Sequence, residues 1–351
     1  MSNFGDDLFR ATIVARGSDL WPSARVRTSA PRDRSTRVGR AYQSASKAGA
    51  MLRLTYAVRD FRWADEIVLA GGSVFQAVRG RHVMEAWLAR HRLRRLSALG
   101  VSFGPFSSAT IEQEVAEFTR AFERIVVRDR PSMEFAELWD IADKVEFGGD
   151  LAALYPFEAE LPTPSDDLTS VGIMPCAYKG LDRRAYLGGI SELLAALKEV
   201  HGARLRVTSI ALNYHPTNGD LELAKDVARA ARAHTDDVQL HVYDGDLVET
   251  LGVIRRQSFN VATRLHGGIV SYLTETPFAQ VSYHAKCADF MNDIGAPDAA
   301  TLPTDADVSR WRALAEYACA YSRPQMSVDD YRQRAESTYV EGSGRIDRRG
   351  N

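Results

Sequence analysis

The sequence predicts an α/β protein made of two doubly wound domains that face each other across a cleft. Short β-rich runs alternate with amphipathic helical patterns along most of the 351 residues. The Pro-rich, acidic stretch YPFEAELPTPSDD at 155–167 interrupts this alternation, which then restarts. Because the chain is too long for one ordinary core, we expect one domain over 1–160 and a second over 161–351.

The elements of the first half follow from apolar periodicity and turn residues. We predict strands at 66–72, 98–105 and 124–129, and helices at 82–96, at 111–122 and from Pro131 to about Trp139. Residues 22–60 are rich in Arg, Ser and Ala and carry no strand pattern. We expect a mobile loop there with a helix around 43–58, which either lies in solvent or grips a substrate.

The second half repeats the alternation. We predict strands at 170–176, 204–212, 238–243, 260–265 and 278–283, and helices at 182–199, 219–233, 246–256, from 266 to about 273 and at 285–292. In such sheets, ligands bind at the carboxyl ends of the strands, where helix N-termini direct amides at anions. Neither GxGxxG nor a Walker sequence is present, so nucleotide binding has no fingerprint here.

Composition excludes several classes of partner. The net charge is −2, from 44 basic and 46 acidic residues, so no global basic field attracts nucleic acid. The three cysteines form no CxxC pair, which argues against a disulfide framework or a structural zinc site. We see no signal peptide and no apolar run near the roughly 20 residues that span a bilayer, and we expect a cytoplasmic protein.

The stretch TRLHGG at 263–268 is the first candidate site. Arg264 and His266 lie two residues apart where a strand ends and a helix begins, with Gly267 and Gly268 following. Arginine offers a planar fork for a carboxylate or phosphate, histidine transfers protons near neutral pH, and glycines let backbone amides approach a ligand. The alternative is that Arg264 is an ordinary surface arginine and His266 a histidine packed in the core, with no ligand.

Tyr283 ends the next predicted strand, and Lys286 lies at the start of the helix that follows it. Since consecutive parallel strands joined by one helix share a sheet, we expect Arg264, His266 and Lys286 to converge on one anion in the cleft. A lysine on the surface of a helix is the alternative.

Weaker candidates lie at other turns and helix starts. Asp6 and Asp7 are suited to bind sugar hydroxyls or act as a base, or they simply open a helix. The other turn residues are Gly71, Gly72, Arg128, Asn213, Tyr214 and His215. Ordinary turn chemistry would explain each of these alone.

Taken together, six blocks resemble the polysaccharide pyruvyl transferase family. They are NFGDDL, LAGGSVFQ, GVSFGP, VRDRPS, EFGGDLA with Asp150, and TRLHGGIVSYLTETPFAQVSYHAKCADF. No single block is specific, but their order and spacing are, and the resemblance covers nearly the whole chain.

The resemblance implies a fold similar to the GT-B glycosyltransferases, with two Rossmann-like domains. It implies transfer of the pyruvyl group of phosphoenolpyruvate to two hydroxyls of a sugar, which forms a ketal and releases phosphate. The acceptor would be a cell-surface glycan or its lipid-linked precursor, which would bring the protein to the membrane periphery. No cofactor and no metal are expected.

The same resemblance suggests roles for the candidates. Arg264, Leu265 through its backbone, and Lys286 would bind the donor in the C-terminal domain, with His266 as acid or proton shuttle. Asp6 or Asp7 would lie near the acceptor hydroxyls, with the N-terminal domain as the acceptor side. The further substrate-binding candidates are Tyr283, Arg128, Gly71, Gly72 and Lys179.

The sequence departs from the family pattern in two places, and the first of them bears on the donor. GIMPCAYK has Pro175 and Cys176 where family members often carry an arginine, and Lys179 or Arg183 would have to substitute. The chain also begins almost at NFGDD, where the family usually has a preceding strand, so we expect an incomplete or irregular N-terminal sheet. The alternatives are a GT-B-type transferase with a different anionic donor and a catalytically silent glycan-binding protein.

Overall fold

The computed structural model describes residues 2–27, 37–43, 46–77, 95–157, 169–214 and 219–341. The chain forms two compact units, each built on a parallel sheet with helices. The C-terminal unit comprises Met1–Leu8 and Pro156–Arg332, and the N-terminal unit comprises Phe9–Tyr155 and Gln333–Asn351.

Strands and helices alternate as an α/β protein requires. Within the described residues the strands are β1 (Ser2–Asn3), β2 (Glu66–Phe75), β3 (Arg95–Phe103), β4 (Arg124–Val127), β5 (Val145–Phe147), β6 (Ser170–Met174), β7 (Arg206–Ala211), β8 (Asn213–Tyr214), β9 (Val238–Val242), β10 (Phe259–Ala262), β11 (Phe278–Ser282) and β12 (Thr301–Pro303). The α-helices there are α1 (Phe4–Leu20), α2 (Arg37–Gln43), α3 (Lys47–Trp63), α4 (Ala109–Thr119), α5 (Arg130–Leu138), α6 (Arg183–His201), α7 (Leu221–Ala231), α8 (Leu247–Arg255), α9 (Leu265–Leu273), α10 (Ala285–Asp293), α11 (Val308–Cys319) and α12 (Val328–Ala335).

The C-terminal unit contains a six-stranded parallel sheet in the order β12-β11-β10-β6-β7-β9. When the six strands are numbered in chain order from β6, the sheet runs 3-2-1-4-5-6 from the β9 edge, which is the strand order of a Rossmann fold. The order reverses between β6 and β10, where Ala262 pairs with Met174 at the carboxyl ends. Ligands of doubly wound sheets bind at this switch point.

The sheet of the N-terminal unit has four parallel strands in the order β2-β3-β4-β5. Its core is rich in aromatic rings, and Phe75 packs edge-on against Phe103 and Phe122 at centroid distances of 5.4 and 5.3 Å. Such edge-to-face pairs are the favoured geometry of buried aromatic rings.

The prediction that a strand ends in a Gly-Gly turn at 71–72 is wrong. Strand β2 continues to Phe75 and its register against β3 shifts between Gly72 and Phe75. Gly71 and Gly72 have φ of 72° and 82°, which only glycine adopts without strain. The glycines therefore make a bulge within the strand instead of ending it.

Other predicted bounds differ from the observed ones. The helix predicted at 82–96 lies outside the described residues up to 94, and Arg95 and Leu96 already belong to β3. The stretch at 155–167 lies outside them from 158 onward, as does His215. The helix expected around 43–58 is observed as Lys47–Trp63, with α2 preceding it.

The structure divides the chain differently from the predicted bounds at its two ends. Residues 1–8 belong to the C-terminal unit because β1 pairs antiparallel with β8 and the buried Phe4 ring packs edge-on against Tyr243. The segment after residue 332 belongs to the N-terminal unit, where the buried Tyr339 hydroxyl donates to the Gly149 carbonyl at 2.6 Å. In the part of the chain that the structure describes, no helix is long and apolar enough to cross a membrane.

Candidate functional site

One backbone carbonyl at the switch point of the C-terminal sheet accepts two amides. Met174, the last residue of β6, accepts the amides of Thr263 at 2.8 Å and Arg264 at 3.3 Å. Strand β10 therefore ends directly beside β6, and the turn that carries Arg264 opens at the switch point. This is the position where a Rossmann sheet binds its ligand.

Arg264 forms a two-pronged ion pair with Asp220. Its Nε lies 2.7 Å from Oδ2 and its Nη2 lies 2.8 Å from Oδ1, and the Asp220 side chain is fully buried. Burial is the largest single effect on the pKa of Arg264 and lowers it, but the hydrogen bonds to Asp220 and the nearby negative charges together raise the pKa above its ordinary value. Since a guanidinium has five N–H donors, the pair leaves three of them for another partner.

Asp220 also joins two further strand ends. Its Oδ1 accepts the amide of Ala177 at 3.0 Å, and its own amide donates to the carbonyl of Asn213 at 2.8 Å. Asp220 could not be recognised from the sequence, because it precedes α7 like an ordinary N-cap residue. In the structure the carboxylate makes no cap to that helix and binds Arg264 instead.

Helix α9 starts at Leu265, immediately after Arg264. Arg264 occupies the N-cap position and makes no side-chain cap hydrogen bond. The first amides of a helix lack intrahelical partners, so the start of α9 presents N–H groups beside the Arg264 guanidinium. Backbone and side-chain donors thus share this turn.

The two glycines after His266 serve packing. A Cβ on Gly267 would lie 2.7 Å from the Met174 sulfur, and one on Gly268 would lie 2.2 Å from Oε1 of Gln280. The amides of both glycines bond to the Arg264 carbonyl. Their absent side chains let α9 approach the sheet closely, which differs from the ligand contact that we predicted.

The His266 ring packs against the backbone of Gly5 in the first turn of α1. A Cβ built on Gly5 would lie only 2.2 Å from His266 Nδ1. The N-terminal segment is fixed there by its own bonds, because Phe4 N donates to Leu212 O at 3.1 Å and Gly5 N donates to Asn3 Oδ1 at 3.2 Å. The NFGDD motif therefore lies beside the R-x-H motif.

Asp6 and Asp7 lie in the first turn of α1 within the C-terminal unit. Asp7 Oδ2 accepts a hydrogen bond of 2.9 Å from the hydroxyl of the buried Tyr243. Asp6 is exposed. Both acids thus share a unit with the predicted donor residues.

Cys176, Tyr178 and Tyr283 line the other side of the switch point. The rings of Tyr178 and Tyr283 stack at 4.9 Å, and the buried Cys176 thiol lies close to the Tyr283 side chain. Burial raises the pKa of Cys176 to about 11, and the nearby charge of Arg264 acts in the opposite direction. The thiol is therefore a neutral group at the edge of the site.

The other candidate cations of the C-terminal unit have different surroundings. Lys286 lies half-buried in the first turn of α10, where its amide donates to Nδ1 of His284 at 3.2 Å. Lys179 is exposed in the turn after β6. The Arg183 guanidinium, one of the two expected substitutes for the family arginine, binds Asp226 and the Glu222 carbonyl.

The candidates of the N-terminal unit form a separate group. Arg128 binds Ser102 Oγ at 2.8 Å and Asp150 at 3.0 Å, and the two charged side chains are 6% and 2% exposed. This burial and pairing are those of an internal ion pair. A Cβ on Gly71 would meet the Phe9 ring, whereas Gly72 faces open space.

Metal binding has no visible support in the part of the chain that the structure describes. No group of three or more His, Cys, Asp or Glu side chains there is arranged to hold an ion.

The comparisons with known proteins agree with this architecture. The family model for polysaccharide pyruvyl transferase matches residues 3–285. Among solved structures, the UDP-GlcNAc 2-epimerase of Methanocaldococcus jannaschii is 11% identical with a TM-score of 0.59, covering 88% of this chain and 84% of that one. A complex of S. aureus MnaA with UDP is 11% identical with a TM-score of 0.60, covering 98% and 93%.

The UDP-GlcNAc 2-epimerase of Neisseria meningitidis bound to UDP-GlcNAc is also similar. It is 9% identical with a TM-score of 0.50, covering 86% of this chain and 81% of that one. At these identities the similarity establishes a shared fold, the GT-B-like α/β fold that the sequence analysis predicted.

Proposed function

Because the chain belongs to the polysaccharide pyruvyl transferase family, we propose that it transfers the pyruvyl group of phosphoenolpyruvate to a sugar. Two hydroxyls of a cell-surface polysaccharide or its precursor would accept the group as a cyclic ketal, and inorganic phosphate would leave. The acceptor is a free or lipid-linked glycan.

The observation that carries this proposal is the anion-binding character of the Arg264 turn. Three N–H donors of Arg264 remain after it binds Asp220, and the uncapped start of α9 adds the Leu265 amide. A planar fork beside helix amides suits a carboxylate or a phosphate, and phosphoenolpyruvate carries both. Lys286, in the first turn after the neighbouring strand β11, is the proposed second cation.

Proton transfer is the proposed role of His266. An acid must place a proton on C3 of phosphoenolpyruvate, so that C2 becomes electrophilic and a sugar hydroxyl adds to it. The C2–O bond to phosphate then breaks, and a second hydroxyl forms the other ketal bond. One hydroxyl proton ends on the methyl group and the other on phosphate, so the reaction needs no oxidant.

Asp7 is the better placed of the two acids to meet the acceptor. The Tyr243 hydroxyl holds its Oδ2, and its turn of helix packs beside the His266 ring through Gly5. A carboxylate fixed in this way can accept a hydrogen bond from a sugar hydroxyl as that hydroxyl attacks. Asp6, which is exposed, would contact the acceptor less directly.

A thermal-shift experiment tests the donor. The proposal predicts that phosphoenolpyruvate raises the melting temperature of the wild-type protein and that UDP and UDP-GlcNAc do not. No shift with any of these compounds would favour a glycan-binding protein without catalysis.

A different anionic donor is the second candidate, and one feature favours it. Cys176 stands where family members often carry an arginine, and its raised pKa keeps it neutral, so the site has less positive charge than a doubly anionic donor would use. Two proteins of similar fold bind UDP or UDP-GlcNAc. A shift with the uridine compounds and none with phosphoenolpyruvate would support this candidate.

A further inference from the structure

Helix α3 of the N-terminal unit exposes an apolar stripe. The side chains of Met51, Leu54 and Val58 are 71%, 42% and 38% exposed. Their spacing of three and four residues puts them on one face of the helix. A surface helix normally turns such a face toward the core, so an apolar face in solvent marks a surface that binds something.

Basic side chains border this stripe. Lys47 is exposed one turn before Met51, and the Arg59 guanidinium lies over the Tyr56 ring at 4.4 Å from its centroid. The half-buried side of the helix carries Leu52 and Tyr56. Helix α3 thus presents an apolar strip with cationic flanks, the pattern of helices that lie in the headgroup layer of a membrane.

The local charge is opposite in sign to that of the whole chain. Residues 37–63, which span α2 and α3, contain six basic residues and one acidic residue. Their net charge is therefore +5, in a chain whose net charge is −2. Positive charge concentrated beside exposed apolar side chains complements an anionic lipid surface.

We propose that α3 docks the protein on membranes that contain anionic lipids, with Met51, Leu54 and Val58 inserted between the headgroups. A soluble polyanion would use the basic residues but would leave the apolar stripe in water. A second copy of the chain on this face would bring two segments of charge +5 together. An anionic lipid surface can bind both the basic residues and the apolar stripe. This inference does not depend on the identity of the donor.

Vesicle co-sedimentation of the full chain tests the proposal. The vesicles are phosphatidylcholine alone, or equal parts of phosphatidylcholine and phosphatidylglycerol. Wild-type protein should sediment with the anionic vesicles only, and added salt should weaken the binding. The triple variant Met51→Ser, Leu54→Ser, Val58→Ser should bind the anionic vesicles at least roughly tenfold more weakly than wild type.

A matched control distinguishes the effect of the stripe from the effect of exposed apolar side chains on other helices. Leu138, Val200 and Val308 are 71%, 61% and 54% exposed on three other helices. Their triple replacement by serine should leave vesicle binding unchanged. Lys47→Gln with Arg59→Gln should weaken binding to anionic vesicles and reduce its salt dependence.

Several results would overturn the proposal. They are wild-type protein that stays in the supernatant, equal binding to neutral and anionic vesicles, and a stripe variant that binds like wild type. Sedimentation velocity without lipid tests whether a second copy of the chain binds this face instead. A concentration-dependent dimer that the stripe variant abolishes would assign the face to a second copy instead.

Discussion

Asp220 binds Arg264 through both carboxylate oxygens, at 2.7 and 2.8 Å, and it does so from a fully buried position. The pair fixes the direction of the guanidinium, because Nε and Nη2 are held while the Nη1 side points away from the carboxylate. An arginine held in this way loses little conformational freedom when an anion binds. Asp220 therefore acts as a positioning residue for the proposed donor site.

Removal of the Asp220 charge should damage both stability and donor affinity. Asp220→Ala leaves the largely buried Arg264 without its partner, which should lower the free energy of unfolding by about 3 kcal/mol. Asp220→Asn keeps the shape but loses the charge, and it should weaken phosphoenolpyruvate binding roughly tenfold while kcat changes less. Urea denaturation and calorimetric titration measure the two effects.

Asp226 provides the matched control for that experiment. It lies on the same helix α7 and binds Arg183 and Arg229, whose side chains are 49% and 73% exposed. Since exposed ion pairs contribute little, Asp226→Asn should change stability by about 1 kcal/mol or less and leave donor affinity intact. Equal donor affinity in the Asp220→Asn variant and wild type would refute the positioning role.

A methyl group on Gly5 should displace the His266 ring. The added Cβ would lie 2.2 Å from Nδ1, which is closer than two such atoms can approach, so the ring must move. If His266 transfers the proton, Gly5→Ala should lower kcat roughly tenfold or more with a smaller change in donor affinity. Steady-state kinetics of phosphate release checks this.

Gly188→Ala is the control for that substitution. A Cβ on Gly188 meets nothing within 4 Å in helix α6, so the variant should keep full activity and gain about 0.5–1 kcal/mol of stability. Wild-type kcat in the Gly5→Ala variant would show that the contact between Gly5 and His266 has no part in turnover.

Cys176 should resist alkylation in the native protein. Its thiol is 1% exposed, and burial raises its pKa to about 11, so the reactive thiolate is scarce near neutral pH. Iodoacetamide followed by peptide mass spectrometry should find Cys319, which is exposed, modified well before Cys176. Reaction of Cys176 should increase as pH rises toward 11, and denaturant should remove the difference between the two thiols.

Rapid labelling of Cys176 in the native protein at neutral pH would contradict both its burial and the raised pKa. Cys287 serves as an internal reference, because it is also buried and should stay unmodified under the same conditions.

Arg128 should contribute to stability without binding the donor. Arg128→Met leaves Asp150 charged and buried, which should cost about 3–5 kcal/mol of stability. The double variant Arg128→Met, Asp150→Leu removes both charges and should recover part of that loss. Phosphoenolpyruvate affinity should stay at the wild-type value, whereas a loss of affinity in a folded single variant would restore the substrate-binding role.

The fold was predictable because its strands are local, apolar and separated by clear turns. The runs at 170–176, 260–265 and 278–283 correspond to β6, β10 and β11, and the helix between the last two makes them parallel neighbours. The predicted end of β2 at Gly71 and Gly72 was wrong, because a pair of glycines can form a bulge within a strand as well as a turn after it.

The site was less predictable because its key contacts join distant parts of the chain. Arg264 and His266 were visible as a motif, but Asp220 and Gly5 are 44 and 261 residues away from their respective partners. Helix-start signals give the local role of a residue such as Asp220, and they say nothing about a long-range partner. The placement of residues 1–8 on the C-terminal unit depends on β1 pairing with a two-residue strand, which has no sequence signature.

The most direct measurement of the central claim is calorimetric titration of phosphoenolpyruvate into wild-type protein and Arg264→Ala. We expect saturable binding to wild type, at least roughly tenfold weaker binding to Arg264→Ala, and wild-type affinity in the Asp226→Asn control. Equal affinity of the wild-type protein and the Arg264→Ala variant, or no binding of phosphoenolpyruvate to the wild-type protein, would contradict the central claim.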